Sequence, residues 1–208
     1  MITRIKICGI TRQDDADAVV HAGAHALGLN FAAQSPRRVG LDAAHDIARQ
    51  VAGAVTRVGL FVDPEPEEVS RVLDRVELDV LQFHGSEPAE LCRSFGLPFM
   101  KAFRMRAPLP LDSVEADYAD ACCLLLDTWV DGVAGGTGRR FDWALWPPAA
   151  RLPLVLAGGL RPDNVAEAVM RLAPWGVDVS GGVEGARKGE KDAGRIRRFV
   201  EEVNRARS

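Results

Sequence analysis

Short apolar runs alternate along this chain with longer stretches whose apolar positions recur at helical spacing. Residues 5–8, 26–31, 58–62, 80–84, 99–103, 122–127, 154–157 and 177–180 are strand-length, rich in Val, Ile and Leu, and bounded by Gly, Pro, Asp or Asn. The segments 13–22, 41–51, 66–76, 88–95, 162–172 and 193–204 read as amphipathic helices. Their start signals include Asp14, Glu87-Pro88 and Arg161-Pro162-Asp163. Segment 111–119 is less well defined. A Gly-rich stretch, 132–138, reads as a mobile loop and is followed by a short helical segment, 142–146. Strictly alternating units imply a parallel sheet. A doubly wound sheet usually stops at about six strands and often carries G-x-G-x-x-G after the first. That fingerprint is absent, and so is the P-loop pattern. Eight units instead predict an α/β fold, a single-domain (β/α)8 (TIM) barrel over residues 1–208, at the short end of that architecture's size range.

Composition narrows the partners. The chain has 208 residues, 47% hydrophobic and 26% charged, which is a globular balance able to bury a sizeable core. Its net charge is -3, and no basic stripe is evident, so nucleic acid is not an expected partner. Arg195, Arg197, Arg198, Arg205 and Arg207 cluster, but Glu201 and Glu202 interrupt them, as on a solvated helix face. No apolar run approaches the roughly 20 residues that span a bilayer, and no signal peptide precedes the first strand. A membrane is therefore not expected as a partner, and the expected location is cytoplasmic. The four cysteines (Cys8, Cys92, Cys122, Cys123) show no C-x-x-C and no Cys/His cluster, so they read as reduced thiols rather than disulfides or metal ligands. Oligomeric state is left open.

In a barrel of this kind the loops that follow the strands build the active site. The strand ends carry Cys8, Asn30, Asp63, His84, Arg104, Asp127, Gly158-Gly159 and Ser180. Singly, Asp63 before Pro64 reads as a turn residue or helix cap, and Asn30 as a loop cap. His84 before Gly85 reads either as a satisfied loop histidine or as part of a pocket. Paired glycines follow the last two strands, at Gly158-Gly159 and Gly181-Gly182. Two tight turns would account for them. A phosphate site accounts for them better, because glycine lets backbone N–H groups approach an anion closely where such barrels commonly bind phosphate. Asp178 and Ser180 share a strand face; Ser180 can donate a hydroxyl, while Asp178 is expected to hold a loop. Asp127 could be a cap, a brace or a general acid. Arg37 and Arg38 follow Ser35-Pro36, and either one clamps a carboxylate or both are solvated.

Together these motifs resemble those of the phosphoribosylanthranilate isomerase family of tryptophan biosynthesis. The matching stretches are Lys6-Ile-Cys-Gly-Ile-Thr11, Gly28-Leu-Asn-Phe31 with Ser35-Pro-Arg37, and Val58-Gly-Leu-Phe-Val62. Next come Gln82-Phe-His-Gly85, Leu125-Leu-Asp-Thr128 and Gly135-Gly-Thr-Gly138 with Phe141-Asp-Trp143. Gly158-Gly-Leu160 and Asp178-Val-Ser-Gly-Gly-Val-Glu184 complete the series in order. The resemblance implies a cofactor-free Amadori rearrangement of N-(5-phosphoribosyl)anthranilate to 1-(2-carboxyphenylamino)-1-deoxyribulose 5-phosphate. It makes Cys8 the general base and Asp127 the general acid, and sets Arg37 on the anthranilate carboxylate. Gln82 and His84 would face the substrate. The loops of Gly158, Gly159, Gly181 and Gly182, with Asp178 and Ser180 beside them, would hold the phosphate. Gly181 departs from the family pattern, where a second serine is usual, and Arg38 stands where an aromatic residue often follows the arginine. Lys6 is on the same strand face as Cys8. It is expected either to favour the thiolate or to pair with a buried carboxylate. Two other readings stay open: another sugar-phosphate isomerase or epimerase on the same barrel, and a noncatalytic barrel that binds a phosphorylated metabolite.

Overall fold

The computed structural model describes residues 2–128 and 142–206; the expected loop 132–138, the motif at 135–138, Phe141 and Trp129 lie outside the described residues. The strands are β1 (Arg4–Cys8), β2 (Ala26–Asn30), β3 (Thr56–Phe61), β4 (Val80–Phe83), β5 (Phe99–Met105), β6 (Cys123–Thr128), β7 (Leu154–Leu156) and β8 (Gly176–Val179). They close in sequence order into one parallel barrel, as the eight-unit pattern predicts, with β8 pairing back onto β1. The helices are α1 (Gln13–His21), α2 (Leu41–Gln50), α3 (Pro66–Leu73), α4 (Ala89–Arg93), α5 (Leu111–Asp117), α6 (Val165–Leu172) and α7 (Ala193–Arg205).

Side-chain alternation divides the core in two. Outward-pointing residues such as Ile5, Ile7, Leu27, Leu29, Phe83, Leu124 and Leu126 pack against the helical shell. Inward-pointing Val58, Met100, Ala102, Cys123, Leu125, Val155 and Ala157 fill the barrel. Both faces of each strand are thus buried, which is why the strands read as continuous apolar runs rather than alternating ones. The inward column continues toward the C-terminal mouth through polar residues: Lys6 and Cys8 on β1, Gln82 on β4, Asp127 on β6 and Asp178 on β8, all buried. On α7 the buried positions Ile196, Phe199, Val200 and Val203 follow helical spacing, while Arg197–Glu201 and Arg205–Glu202 pair on its outer face. Of the arginine cluster, Arg195, Arg197, Arg198 and Arg205 are exposed, as the composition suggests, and Arg207 lies outside the described residues.

The sixth unit differs from expectation. Segment 142–146 contains only a 3-10 turn, Trp143–Leu145, capped by Asp142 through the Ala144 N–H at 3.0 Å. Pro147 and Pro148 cannot donate to a preceding turn and prevent its growth into an α-helix. Among the described residues no helix is long and apolar enough to cross a membrane.

One buried ion pair braces the mouth from outside the barrel. Lys101 of β5 shares its outward face with Phe99 and Phe103. Its Nζ reaches Glu87 Oε2 at 2.9 Å and the Gly85 carbonyl at 2.7 Å. The Glu87 carboxylate also accepts the backbone N–H groups of Asp63 and Gly85, so it ties the loops after β3 and β4 together. Lys101→Met leaves that carboxylate buried without its cation. We expect a loss of about 3–5 kcal/mol in unfolding free energy; an unchanged denaturant midpoint would show that the pair is not a brace.

Candidate active site

Cys8 ends β1 opposite Gly28 of β2. A Cβ at Gly28 would lie 2.9 Å from Cys8 Sγ and 3.1 Å from Lys6 Nζ, so the glycine leaves the space in which thiol and ammonium meet. Lys6 Nζ also bonds Asp178 Oδ1 at 2.9 Å, inside the barrel. Burial works against the charge on Lys6, but Asp178 and Cys8 outweigh it, and the ammonium is held well above the ordinary lysine range. The Cys8 thiol is pushed up, chiefly by burial; Lys6 and Lys191 pull it down and Asp178 opposes them. Both expectations for Lys6 are therefore met in part. It pairs with a buried carboxylate and it favours the thiolate, but alone it does not overcome the cost of burying a thiolate. Asp178 takes this ion pair rather than a loop contact.

Asp127 ends β6. Its Oδ1 accepts the N–H of Thr128 at 2.7 Å. Its Oδ2 lies 3.2 Å from His84 Nε2. The separation is that of an ion pair, but the ring N–H does not point along it, and His84 Nε2 makes no aligned hydrogen bond. His84 Nδ1 lies 3.1 Å from the Gln82 amide nitrogen, and Gln82 Oε1 is likewise buried without a partner. His84 therefore sits between Gln82 and Asp127. Gln82 Oε1, buried without a hydrogen-bond partner, and His84 Nε2, at ion-pair distance from Asp127, belong to one group around Asp127.

A cavity beside Asp127 is lined by Thr128, Gly158, Gly159, Asp178, Ser180, Gly181 and Gly182. Gly158 and Gly159 have φ of +88° and +64°, a left-handed conformation that favours glycine. A Cβ at Gly158 would come within 2.0 Å of Thr128 Oγ1, and one at Gly182 within 1.9 Å of the Leu160 carbonyl. Asn164 holds the first of these loops, donating to the Gly159 carbonyl at 3.0 Å and accepting from the Arg161 N–H at 2.8 Å. Among the described residues no hydrogen bond engages the N–H groups of Gly158 or Gly159. Such a cradle of free backbone donors suits a phosphate. Cys8, Gln82, His84 and Arg37 are not in the lining of this cavity. They join it through contacts: Cys8 through Lys6 and Asp178, and His84 with Gln82 through Asp127.

Of the two adjacent arginines, the structure buries Arg37 and exposes Arg38. Arg37 grips Glu184 with two bonds, Nε to Oε1 at 2.5 Å and Nη2 to Oε2 at 2.9 Å. Lys191, from the loop after β8, completes the group. Its fully buried Nζ lies 3.3 Å from Glu184 Oε1, 3.2 Å from the Ser180 carbonyl and 3.4 Å from Ser180 Oγ. Burial alone would raise the Glu184 carboxyl, but Arg37, Lys191 and the Gly189 N–H hold it down at about 2. Lys191 is lowered by burial, with Glu184 pulling the other way. Neither Glu184 nor Lys191 was singled out from sequence. Glu184 ends the last stretch that matches the family, with no role assigned to it, and Lys191 lies in the polar run that follows. Asn30 caps its loop as expected, accepting from Ala32 and donating to Ser35, whereas Asp63 does not cap α3, whose N-cap is Glu65; it accepts the Ser86 N–H at 2.6 Å and so joins the loops after β3 and β4.

A family described as N-(5'-phosphoribosyl)anthranilate isomerase matches residues 5–202 of the chain. An N-(5'-phosphoribosyl)anthranilate isomerase from Thiobacillus denitrificans is 54% identical over 203 residues, covering 98% of each chain. The crystal structure of phosphoribosyl anthranilate isomerase from Thermus thermophilus superposes with a TM-score of 0.87 at 38% identity, covering 98% of this chain and 99% of that one. A further structure of such an isomerase, in complex with reduced 1-(o-carboxyphenylamino)-1-deoxyribulose 5-phosphate, gives a TM-score of 0.83 at 37% identity, with 98% and 99% covered.

Proposed function

The chain belongs to the N-(5'-phosphoribosyl)anthranilate isomerase family, and from that membership we propose that it isomerises N-(5'-phosphoribosyl)anthranilate with Cys8 as base and Asp127 as acid. It is an isomerase of tryptophan biosynthesis. The observation that carries the assignment of roles is the chain of contacts at one mouth. Cys8 is linked through Lys6 and Asp178 to the glycine cradle, and Asp127 lines that same cradle.

The phosphate sits in the cradle of Gly158, Gly159, Gly181 and Gly182, with the Ser180 hydroxyl beside it. This anchors the ribose with its reacting carbons over the barrel mouth. Asp127 donates a proton to the furanose oxygen as the C1–O bond breaks and the anilino nitrogen lone pair forms the iminium. The iminium acidifies C2–H, and the Cys8 thiolate removes that proton to give the enolamine. Loss of the enolamine's hydroxyl proton and gain of one at C1 yield the ketone, and the two enzyme groups return to their starting forms through solvent. Gln82 and His84, grouped beside Asp127, are assigned to the substrate side of the mouth. The thiolate step requires reduced Cys8, which matches a cytoplasmic setting.

Arg37 keeps Nη1 outside its pair with Glu184, and this face receives the anthranilate carboxylate. Arg37→Ala should therefore raise KM at least about tenfold, the size of one lost charge-assisted hydrogen bond, with a smaller effect on kcat. Arg38→Ala should stay near wild type; the reverse pattern would move the clamp to Arg38. The function itself is tested by incubating the folded protein with enzymatically generated phosphoribosyl anthranilate and separating the products. The expected result is the isomeric ketose at unchanged mass, and recovery of only substrate and free anthranilate would refute the reading.

A further inference from the structure

Arg37 reaches its place by passing two glycines. A Cβ at Gly9, which has φ of +76°, would lie 2.7 Å from Arg37 Cδ and 3.1 Å from Ser180 Oγ. One at Gly181 would lie 3.3 Å from Arg37 Nη2 and 3.8 Å from Glu184 Oε2. The guanidinium assigned to the carboxylate therefore lies against the loop assigned to the phosphate. Two side chains join them. Glu184 takes Nε and Nη2 of Arg37 in a fork, and the Gly189 N–H holds its Oε1 at 3.0 Å. Lys191 Nζ lies 3.3 Å from the same Oε1 and donates to the carbonyl and hydroxyl of Ser180 at 3.2 and 3.4 Å. Ser180 lines the phosphate cavity. Lys191 is also fixed at its backbone. It forms an antiparallel bridge with Glu184, and its N–H donates to Asp15 Oδ2 of α1 at 3.1 Å. Asp15 is in turn gripped by Arg12.

We propose that Glu184 and Lys191 form a strut that sets the spacing between the carboxylate clamp and the phosphate cradle. Both are positioning residues: they act through Arg37 and Ser180 without touching the substrate. The inference rests on the reading of those two anion sites. A free arginine side chain samples many rotamers, whereas one held in a fork is ordered before the substrate arrives, so less is lost when a carboxylate binds. The Lys191 bonds extend that order to Ser180. A substrate that carries both a phosphate and a carboxylate then meets two sites already at a fixed separation. Loosening the strut therefore weakens binding of the whole substrate more than it slows the proton transfers.

The test is a double-mutant cycle on phosphoribosyl anthranilate generated in situ. Lys191→Met keeps the length of the side chain and removes the donor. It should raise KM about fivefold, the size of one net hydrogen bond, with kcat nearly unchanged. Added to Arg37→Ala, where no clamp is left to position, it should raise KM by less than about twofold. A KM shift in Lys191→Met alone below about twofold, or a shift as large in the Arg37→Ala background as in the wild type, overturns the proposal. A merely structural role would give that second, additive pattern. A reading without substrate separates this outcome from failure of the isomerase assignment. In isotope-labelled protein the Arg37 Nε–H resonance is identified by its loss in Arg37→Ala. It should exchange with water at least about tenfold faster in Lys191→Met than in the wild type. Equal exchange in the two proteins overturns the strut whatever the substrate is. Glu184→Gln, which cannot accept both guanidinium bonds, should behave alike in both measurements and serves if Lys191→Met does not fold.

Discussion

Asp127→Asn is expected to lower kcat at least about 100-fold while changing KM little, since the proposed mechanism draws from Asp127 the proton for the ring oxygen as the C1–O bond opens. The asparagine is nearly the same size. Its amide oxygen can still accept the Thr128 N–H that Oδ1 holds at 2.7 Å, so the loop geometry after β6 is retained. Asp127 Oδ2 is the atom near His84 Nε2, and in the variant that position is an amide group, which is not a proton donor of carboxylic-acid strength. Steady-state kinetics with the substrate generated in situ measures the loss. A kcat within about tenfold of wild type would remove Asp127 from the role of acid.

Cys8→Ala should cost at least about 100-fold in kcat as well, for the opposite half of the reaction. Lys6 Nζ cannot replace the thiol: the ammonium is held charged by Asp178 and Cys8, against the pull of burial, and so has no lone pair to offer. The substitution deletes one buried sulfur beside Gly28 and leaves the Lys6–Asp178 pair intact. Its effect on the thermal midpoint should be small beside its effect on rate. Near-normal turnover in this variant would mean that the thiol is only a filler of the space above Gly28.

The barrel was legible in the sequence because apolar runs and helical stripes alternate eight times, and the fold places every run at its expected position in the sheet. The strand-end rule then located Cys8, Asp127 and the two glycine pairs, whose side chains or backbone the fold brings to one mouth. Periodicity is silent on which charges are buried. Arg37 and Arg38 are adjacent and chemically alike, and only the bridge between Asn30 and Arg38 and the reach of Arg37 to Glu184 separate them. Lys191 stands in the run Lys188-Gly-Glu-Lys-Asp192, which has the composition of exposed loop, yet its side chain is fully covered. Lys101 on β5 interrupts an apolar strand, and its partner Glu87 belongs to a different loop, so the pair is visible only once the sheet is closed. The expected helix at 142–146 fails for a local reason, the two prolines that follow it.

Cys8 and Asp127 together are expected to carry the proton transfers of this isomerisation. The most direct measurement compares fluorescence progress curves of the folded wild type and the double variant Cys8→Ala/Asp127→Asn on phosphoribosyl anthranilate generated in place. The account predicts rapid fluorescence loss with the wild type and a trace no faster than uncatalysed decay with the double variant. A double variant that keeps turnover within about tenfold of the wild type would contradict it.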